Sequence, residues 1–227
     1  MSLPHWASFL RRQHLPTDLS ELHDSQSLRP VLGSVQAFSG RVWSIRSDTV
    51  DFEGVASVRD VLVHPGAVGI IALDEHERVL LIQQYRHPVG RLLWEAPAGL
   101  LDIPGESALE CAQRELLEET GFLAWDWSVL VDFWNSPGGS TEAFRCYLAR
   151  DLHLAPGGRP AGTAEEADLP IAWVSLDEVV AGALAGRLGN PTTVIGSLAA
   201  VAARDRNWTT LRSSQAVWSA RPNAGGH

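Results

Sequence analysis

Cysteine is scarce in this chain: two in 227 residues are too few for a disulfide framework. Cys111 falls inside a helical pattern, and it and Cys146 read as small buried hydrophobes. An excess of basic residues is also missing. The formal net charge of −9 argues against a nucleic-acid backbone as principal partner, because phosphate binding normally shows as a basic surface. No apolar run approaches the length of a membrane span, and the stretch from Met1 to Leu10 has neither a cationic lead nor a long apolar segment. The expectation is a soluble cytoplasmic protein with neither nucleic acid nor membrane as partner. Internal repeats and heptads are absent as well. What is present, 45% hydrophobic residues, is enough for one sizeable core plus a small accessory region.

The most informative stretch is Gly99 to Phe122. Ser107 followed three residues later by Glu110 predicts a capping box, hence a helix from Ser107 through Ala108, Leu109, Ala112, Leu116 and Leu117, stopped by Gly121. Along it Glu115, Glu118 and Glu119 stand at i, i+3 and i+4 and share one patch. Like charges at that spacing cost roughly a few tenths of a kcal/mol per pair. Arg114, whose i,i+4 reach covers Glu110 and Glu118, neutralises only part of the excess. A polyvalent cation is the economical counter-charge, and ligands that are all oxygen favour a hard ion, Mg2+ or Mn2+. A Glu-rich helix is also commonly just a solvated face.

The loop ahead decides between these readings. Glu106, Arg114 and Glu115, Leu116, the pair Glu118 and Glu119, Gly121 and Phe122 together resemble the signature of the Nudix hydrolases. One departure stands out: Glu106 lies seven residues after Gly99, where the family's usual spacing is six, so the loop between them carries one extra residue and its geometry near Leu100 and Asp102 departs from what the resemblance implies. The resemblance implies an α/β/α sandwich, an α+β arrangement with a mixed sheet, plus a small N-terminal antiparallel sheet that helps to build a homodimer and a substrate pocket.

Residues 1 to about 30 show no clear periodicity and read as an irregular arm. Val35 to Phe38, Arg41 to Phe52 and Ala56 to Val63 read as the strands of the small sheet. Ala67 to Leu73 is a nearly continuous apolar run suited to a buried strand, and Val79 to Gln84 returns after a polar turn. Ser128 to Trp134 and Ala143 to Ala149 read as two more strands. Ile171 to Val174 is another, Ser175 with Glu178 forms a second capping box, and Asn190-Pro191 opens a helix over Thr192 to Ala203. The tail gives no element, though Trp208 and Trp218 suit cover for apolar surface or an oligomer interface. The expected division is 1–63 for arm and small sheet, 64–205 for the hydrolase domain and 206–227 for the tail.

The resemblance extends beyond the helix. Gln84-Tyr85-Arg86 reads by itself as a strand end, but it matches a motif of the ADP-ribose pyrophosphatase branch in which the arginine faces substrate. Glu95 is either a further substrate contact or an ordinary surface carboxylate. Ser136-Pro137-Gly138-Gly139 reads as a hairpin turn, yet Pro137, fifteen residues after Phe122, and the segment from Ser136 to Glu142 match that branch's substrate loop. Arg59 and Leu100 are further substrate-facing candidates. Glu165 and Glu166 lie in a segment whose composition suits a solvated acidic loop, and whose resemblance implies a base that activates water, with Glu165 favoured. The implied catalytic set is Glu165 or Glu166 with Glu119 and Arg114. The implied metal ligands are the Ala98 carbonyl, Glu115, Glu118 and Glu119, with Gly99, Glu106 and Gly121 structural. The function this implies is metal-dependent cleavage of ADP-ribose, a small-molecule nucleotide, to AMP and ribose 5-phosphate. Two alternatives are another nucleoside diphosphate sugar as substrate, and a non-catalytic ADP-ribose-binding module, against which the intact glutamate set argues.

Overall fold

A computed structural model describes residues 22–161 and 169–220. Three strands come first: β1 (Val31–Ser39), β2 (Ser44–Phe52) and β3 (Val55–Val63), paired antiparallel in that order. The β2–β3 hairpin turns on Glu53 and Gly54, both at positive φ (57° and 89°), the left-handed pair that a two-residue hairpin requires. Strand β2 starts later than its β-branched run predicts, because residues 40–43 form a turn closed by the Gly40 N–H on the Trp43 carbonyl (2.8 Å). Strand β1 is exposed along its whole length and carries Val31, Leu32, Val35 and Phe38 on its surface.

The main body follows with β4 (Ala67–Ala72), β5 (Arg78–Arg86), a 3-10 turn at His87–Val89, β6 (Arg91–Glu95) and β7 (Ala98–Leu100). Next come helix α1 (Ala108–Thr120), β8 (Phe122–Trp134), β9 (Ala143–Leu154) and β10 (Ile171–Ser175). Helices α2 (Leu176–Leu184) and α3 (Pro191–Arg204) and the short β11 (Arg212–Ser213) complete it. One sheet has the order β11-β8-β9-β4-β7. It is mixed, since β4 runs parallel to β9 and its other pairs are antiparallel. The second sheet, β10-β5-β6, is antiparallel.

Strand β4 is buried throughout, as its unbroken apolar sequence demands of a strand covered on both faces. Val68, Ile70 and Ala72 join Ala112 and Leu116 of α1 in one cluster. Ile71 of β4 and Leu73 just beyond it join Val179 of α2 and Ala200 of α3 in the other. The two-residue period of the strand therefore supplies both layers of an α/β/α sandwich. Full burial of a side chain such as Leu116 contributes about 1.5–3 kcal/mol.

Three sequence expectations change in detail. Strand β8 begins at Phe122, immediately after the helix stop, because its first residues pair with the extended end of β9, Phe122 opposite Leu154. Ser175 accepts the Glu178 N–H (3.3 Å), but its hydroxyl donates to the Glu178 carboxylate (2.8 Å), so the box closes on the side chain and not on the backbone. The tail does contribute an element: β11 pairs with β8. Trp208 packs against the second cluster and Trp218 against the first. Arg145, buried in β9, holds that tail by donating to the Ala216 and Val217 carbonyls while paired with Asp132. Both cysteines are buried; burial pushes the Cys111 thiol up and the Cys146 thiol up to about 12, so neither is a thiolate at neutral pH. Among the described residues no helix is long and apolar enough to cross a membrane.

Candidate active site

The carboxylate helix is fixed at both ends by its own sequence. Ser107 Oγ accepts the Glu110 N–H (3.2 Å) and Glu110 returns a carboxylate oxygen to the Ser107 N–H (2.8 Å), the reciprocal cap its spacing predicts. Gly121, at φ 77°, closes the other end through its N–H on the Leu117 carbonyl (2.8 Å). Glu110 is thereby spent on the cap. Arg114 turns to Glu106 instead, through Nε (2.8 Å) and Nη2 (3.1 Å), and from Nη1 to both Glu115 (2.7 Å) and Glu118 (3.0 Å). The fork of the guanidinium lets one cation serve three carboxylates. Its hydrogen bonds hold the Glu106 carboxyl below the usual glutamate value, and the same contact with Glu106 raises Arg114.

Strand β7 brings backbone to this helix. The buried Glu119 carboxylate accepts the Ala98 N–H (3.1 Å). Next along, a Cβ on Gly99 would overlap the Glu115 side chain, so glycine is what lets Glu115 lie against the strand backbone. The loop between Gly99 and Glu106 ends in an exposed turn: Gly105 has φ 84° and the Glu106 N–H reaches the Ile103 carbonyl (3.2 Å). Pro104 and Gly105 stand where a type II turn wants them. From the end of this turn Glu106 meets Arg114. Leu100 pairs with Ala67 and accepts the Cys111 thiol at its carbonyl (3.3 Å).

Glu95 is 1% exposed, which removes the surface-carboxylate reading. It receives Arg86 through Nε (3.0 and 3.1 Å) and Nη2 (2.6 Å), while Arg86 keeps 43% of its side-chain surface. Sequence reasoning missed Thr193, which grips the backbone on either side of Glu95: its Oγ accepts the Ala96 N–H (2.8 Å) and donates to the Trp94 carbonyl (3.4 Å). Pro97 is held in turn by the Ile70 N–H (2.8 Å). Thr193 carries no sequence signal beyond following Asn190-Pro191.

The 136–142 segment is a hairpin connection, closed by the Asn135 N–H on the Glu142 carbonyl (3.0 Å). Ser136 sits at φ 52°, and Ser136, Pro137, Gly138 and Gly139 are exposed. The two glycines have open space where a Cβ would be. The Thr141 and Glu142 end is fastened to His64 and to the end of β3, a junction that no sequence pattern signals. Arg59, on β3, lies over the Phe52 ring (5.1 Å) and donates to the Val58 carbonyl. Glu165 and Glu166 lie outside the described residues.

Glu119 and Glu115 thus meet the Ala98–Gly99 backbone where α1 meets β7, Glu118 shares Arg114 with Glu115, and the three carboxylates offer oxygen donors only. Among the described residues, no three His, Cys, Asp or Glu groups are gathered tightly enough to hold a metal ion as placed, the carboxylates being drawn to Arg114 and to the Ala98 N–H. The donor chemistry nevertheless fits a hard divalent cation.

A NUDIX domain model matches residues 63–193. The ADP-ribose pyrophosphatase of Mycobacterium tuberculosis is 39% identical over 203 residues, covering 89% of this chain and 95% of that protein. The methanol dehydrogenase activator of Bacillus methanolicus is 35% identical over 161 residues, 70% of this chain and 85% of its own. A crystal structure of an ADP compounds hydrolase superposes with a TM-score of 0.68 at 25% identity, covering 82% of this chain and 99% of that one.

Proposed function

The chain belongs to the NUDIX hydrolase family, and from that membership we propose that it is a pyrophosphohydrolase cutting ADP-ribose to AMP and ribose 5-phosphate. The observation that carries the proposal is the meeting of α1 and β7. Glu119 is bonded to the backbone of Ala98 and Glu115 is packed on Gly99, in a chain 39% identical to an ADP-ribose pyrophosphatase.

Glu115, Glu118, Glu119 and the Ala98 carbonyl would hold magnesium or manganese. Such an ion, when bound, neutralises charge on the pyrophosphate and lowers the pKa of its water. The chain's own groups do the rest. Arg114 keeps Glu115 and Glu118 oriented from a fixed guanidinium. Arg86, pinned by Glu95, presents positive charge to a substrate phosphate. Glu165 or Glu166 accepts the proton of the attacking water. That water's oxygen bonds to one phosphorus, the bridging P–O bond breaks, and the second phosphate leaves with the bridging oxygen.

The N-terminal sheet supports a homodimer. A three-stranded sheet exposing Val31, Leu32, Val35, Phe38, Val55 and Val58 is more apolar surface than a lone small sheet normally leaves to water. An apolar pocket of about 360 Å³ on this sheet, lined by Phe38, Val42, Trp43, Ile45 and Leu62, supports its use for the flat base of the nucleotide. A monomer at micromolar concentration in light scattering would contradict the dimer.

Product analysis tests the activity. Purified protein with magnesium and a panel of nucleoside diphosphate sugars should release AMP from ADP-ribose in a metal-dependent way. No release from any member overturns the enzyme; preference for another sugar overturns only the substrate.

A further inference from the structure

We propose that His64 is a positioning residue, the joint that fixes the 136–142 loop relative to the loop that follows β7. Its kinetic consequence rests on the ADP-ribose reading above; its structural consequence does not. His64 lies between β3 and β4 and is 6% exposed. Its backbone is clasped by one hydroxyl: Thr141 Oγ accepts the His64 N–H (2.9 Å) and donates to the His64 carbonyl (3.3 Å). Just before it, the Leu62 N–H donates to the Gly139 carbonyl (2.9 Å) and the Thr141 N–H to the Leu62 carbonyl (3.0 Å). The exposed loop is therefore fastened to the chain that enters the core, and its glycine tip is left open.

The ring extends the link in the other direction. Gly66 donates its N–H to His64 Nδ1 (3.1 Å). An accepting Nδ1 leaves the proton of a neutral imidazole on Nε2, and Nε2 faces a Glu142 carboxylate oxygen at 3.9 Å. Gly66, at φ 90°, presents its carbonyl to the Leu101 N–H (3.1 Å). Hydrogen bonds thus run from Thr141 through His64 and Gly66 to Leu101, two residues after the Gly99 that touches Glu115, with the Glu142 carboxylate 3.9 Å from Nε2. Nδ1 binds the Gly66 side of the joint by a hydrogen bond, and Nε2 faces the Glu142 side within electrostatic reach of the carboxylate but beyond a direct hydrogen bond. The Trp43 ring, 6.2 Å away, covers the same junction. A residue that merely filled space here would need its volume but neither nitrogen.

Three variants separate the nitrogens. His64→Phe keeps bulk and loses both; His64→Asn keeps an acceptor on the Gly66 side; His64→Gln keeps a donor on the Glu142 side. With ADP-ribose as substrate, kcat should stay within about threefold of wild type in all three. KM should rise about tenfold in the Phe and Asn variants and stay near wild type in Gln, the pattern of lost binding shared by ground and transition states. Amide exchange, read on the same proteins without substrate, should accelerate at Thr141 and Leu101 in the Phe variant while α1 keeps its protection. Unchanged exchange at both amides overturns the joint, as does an unchanged KM in Phe and Asn. If Phe does not fold, Asn and Gln carry both readouts, Thr141 accelerating in Asn and Leu101 in Gln, with unchanged exchange in both overturning the joint. If wild type hydrolyses no nucleotide sugar, the ADP-ribose reading fails and the exchange arm still decides the joint.

Discussion

Gly99 and Glu115 are packed so closely that a methyl group on the glycine would occupy the space of the glutamate's Cγ, Cδ and Oε1. The strand and the carboxylate helix therefore meet without an intervening side chain, and whatever Glu115 binds lies against backbone.

Gly99→Ala follows directly. The added carbon disturbs the setting of Glu115, which Arg114 also holds, and for the metal ligand proposed above the loss of such orienting contacts typically costs about 10–100-fold in metal affinity. Titration of activity with magnesium should show the half-saturating concentration rise by that order. The unfolding midpoint should move little, since the displaced side chain is the flexible partner.

Glu119→Gln should abolish metal-dependent turnover while preserving the fold, because the amide oxygen still accepts the Ala98 N–H. Circular dichroism and AMP release on one preparation check both halves. Glu165→Gln should lower kcat with unchanged magnesium dependence; if only Glu166→Gln does so, the neighbouring glutamate is the base.

Arg86→Ala strands the carboxylate of Glu95, which is 1% exposed. Removing one partner of a buried pair costs about 3–5 kcal/mol. Here roughly 2–4 kcal/mol is expected, since Arg86 keeps 43% of its side-chain surface. Urea unfolding measures it. Restoring stability with Arg86→Met/Glu95→Met, but not activity, would separate the pair's structural cost from its use.

Stability should also depend on pH through His64. Burial holds its imidazole below the ordinary 6.5, against an opposing pull from Glu142. The unfolded chain then takes up the proton first, so the contribution is intact above about pH 6.5 and is lost as pH falls from there through the folded value. Urea midpoints between pH 8 and pH 5 should fall more steeply in wild type than in His64→Phe. Equal slopes would remove His64 as the cause.

Both caps of α1, the buried run of β4 and the oxygen-rich face of the helix were legible because each depends on residues a turn or less apart: Ser107 with Glu110, Glu115 with Glu119, alternate residues along one strand. Arg114 was legible only in part. Its spacing allows Glu110 and Glu118, but Glu110 is consumed by the cap, and Glu106 arrives through a turn whose geometry depends on Gly105. Glu95 could not be assigned from sequence, since burial is a property of the assembled fold and its neighbours in the chain are equally compatible with a surface.

By itself the sequence determined the chemistry on offer: carboxylates at helical spacing after a glycine loop, in a chain of net charge −9 with only two cysteines. Tertiary structure alone decided what those groups touch. Thr193 grips the backbone around Glu95 from 97 residues away in the chain, at Ala96, and Thr141 clasps His64 across 77. Such contacts are single hydroxyls meeting backbone, and a hydroxyl has no periodicity or charge to announce its partner. Only the packing of α3 on the sheet, and of the β8–β9 loop on the end of β3, brings them within hydrogen-bond reach.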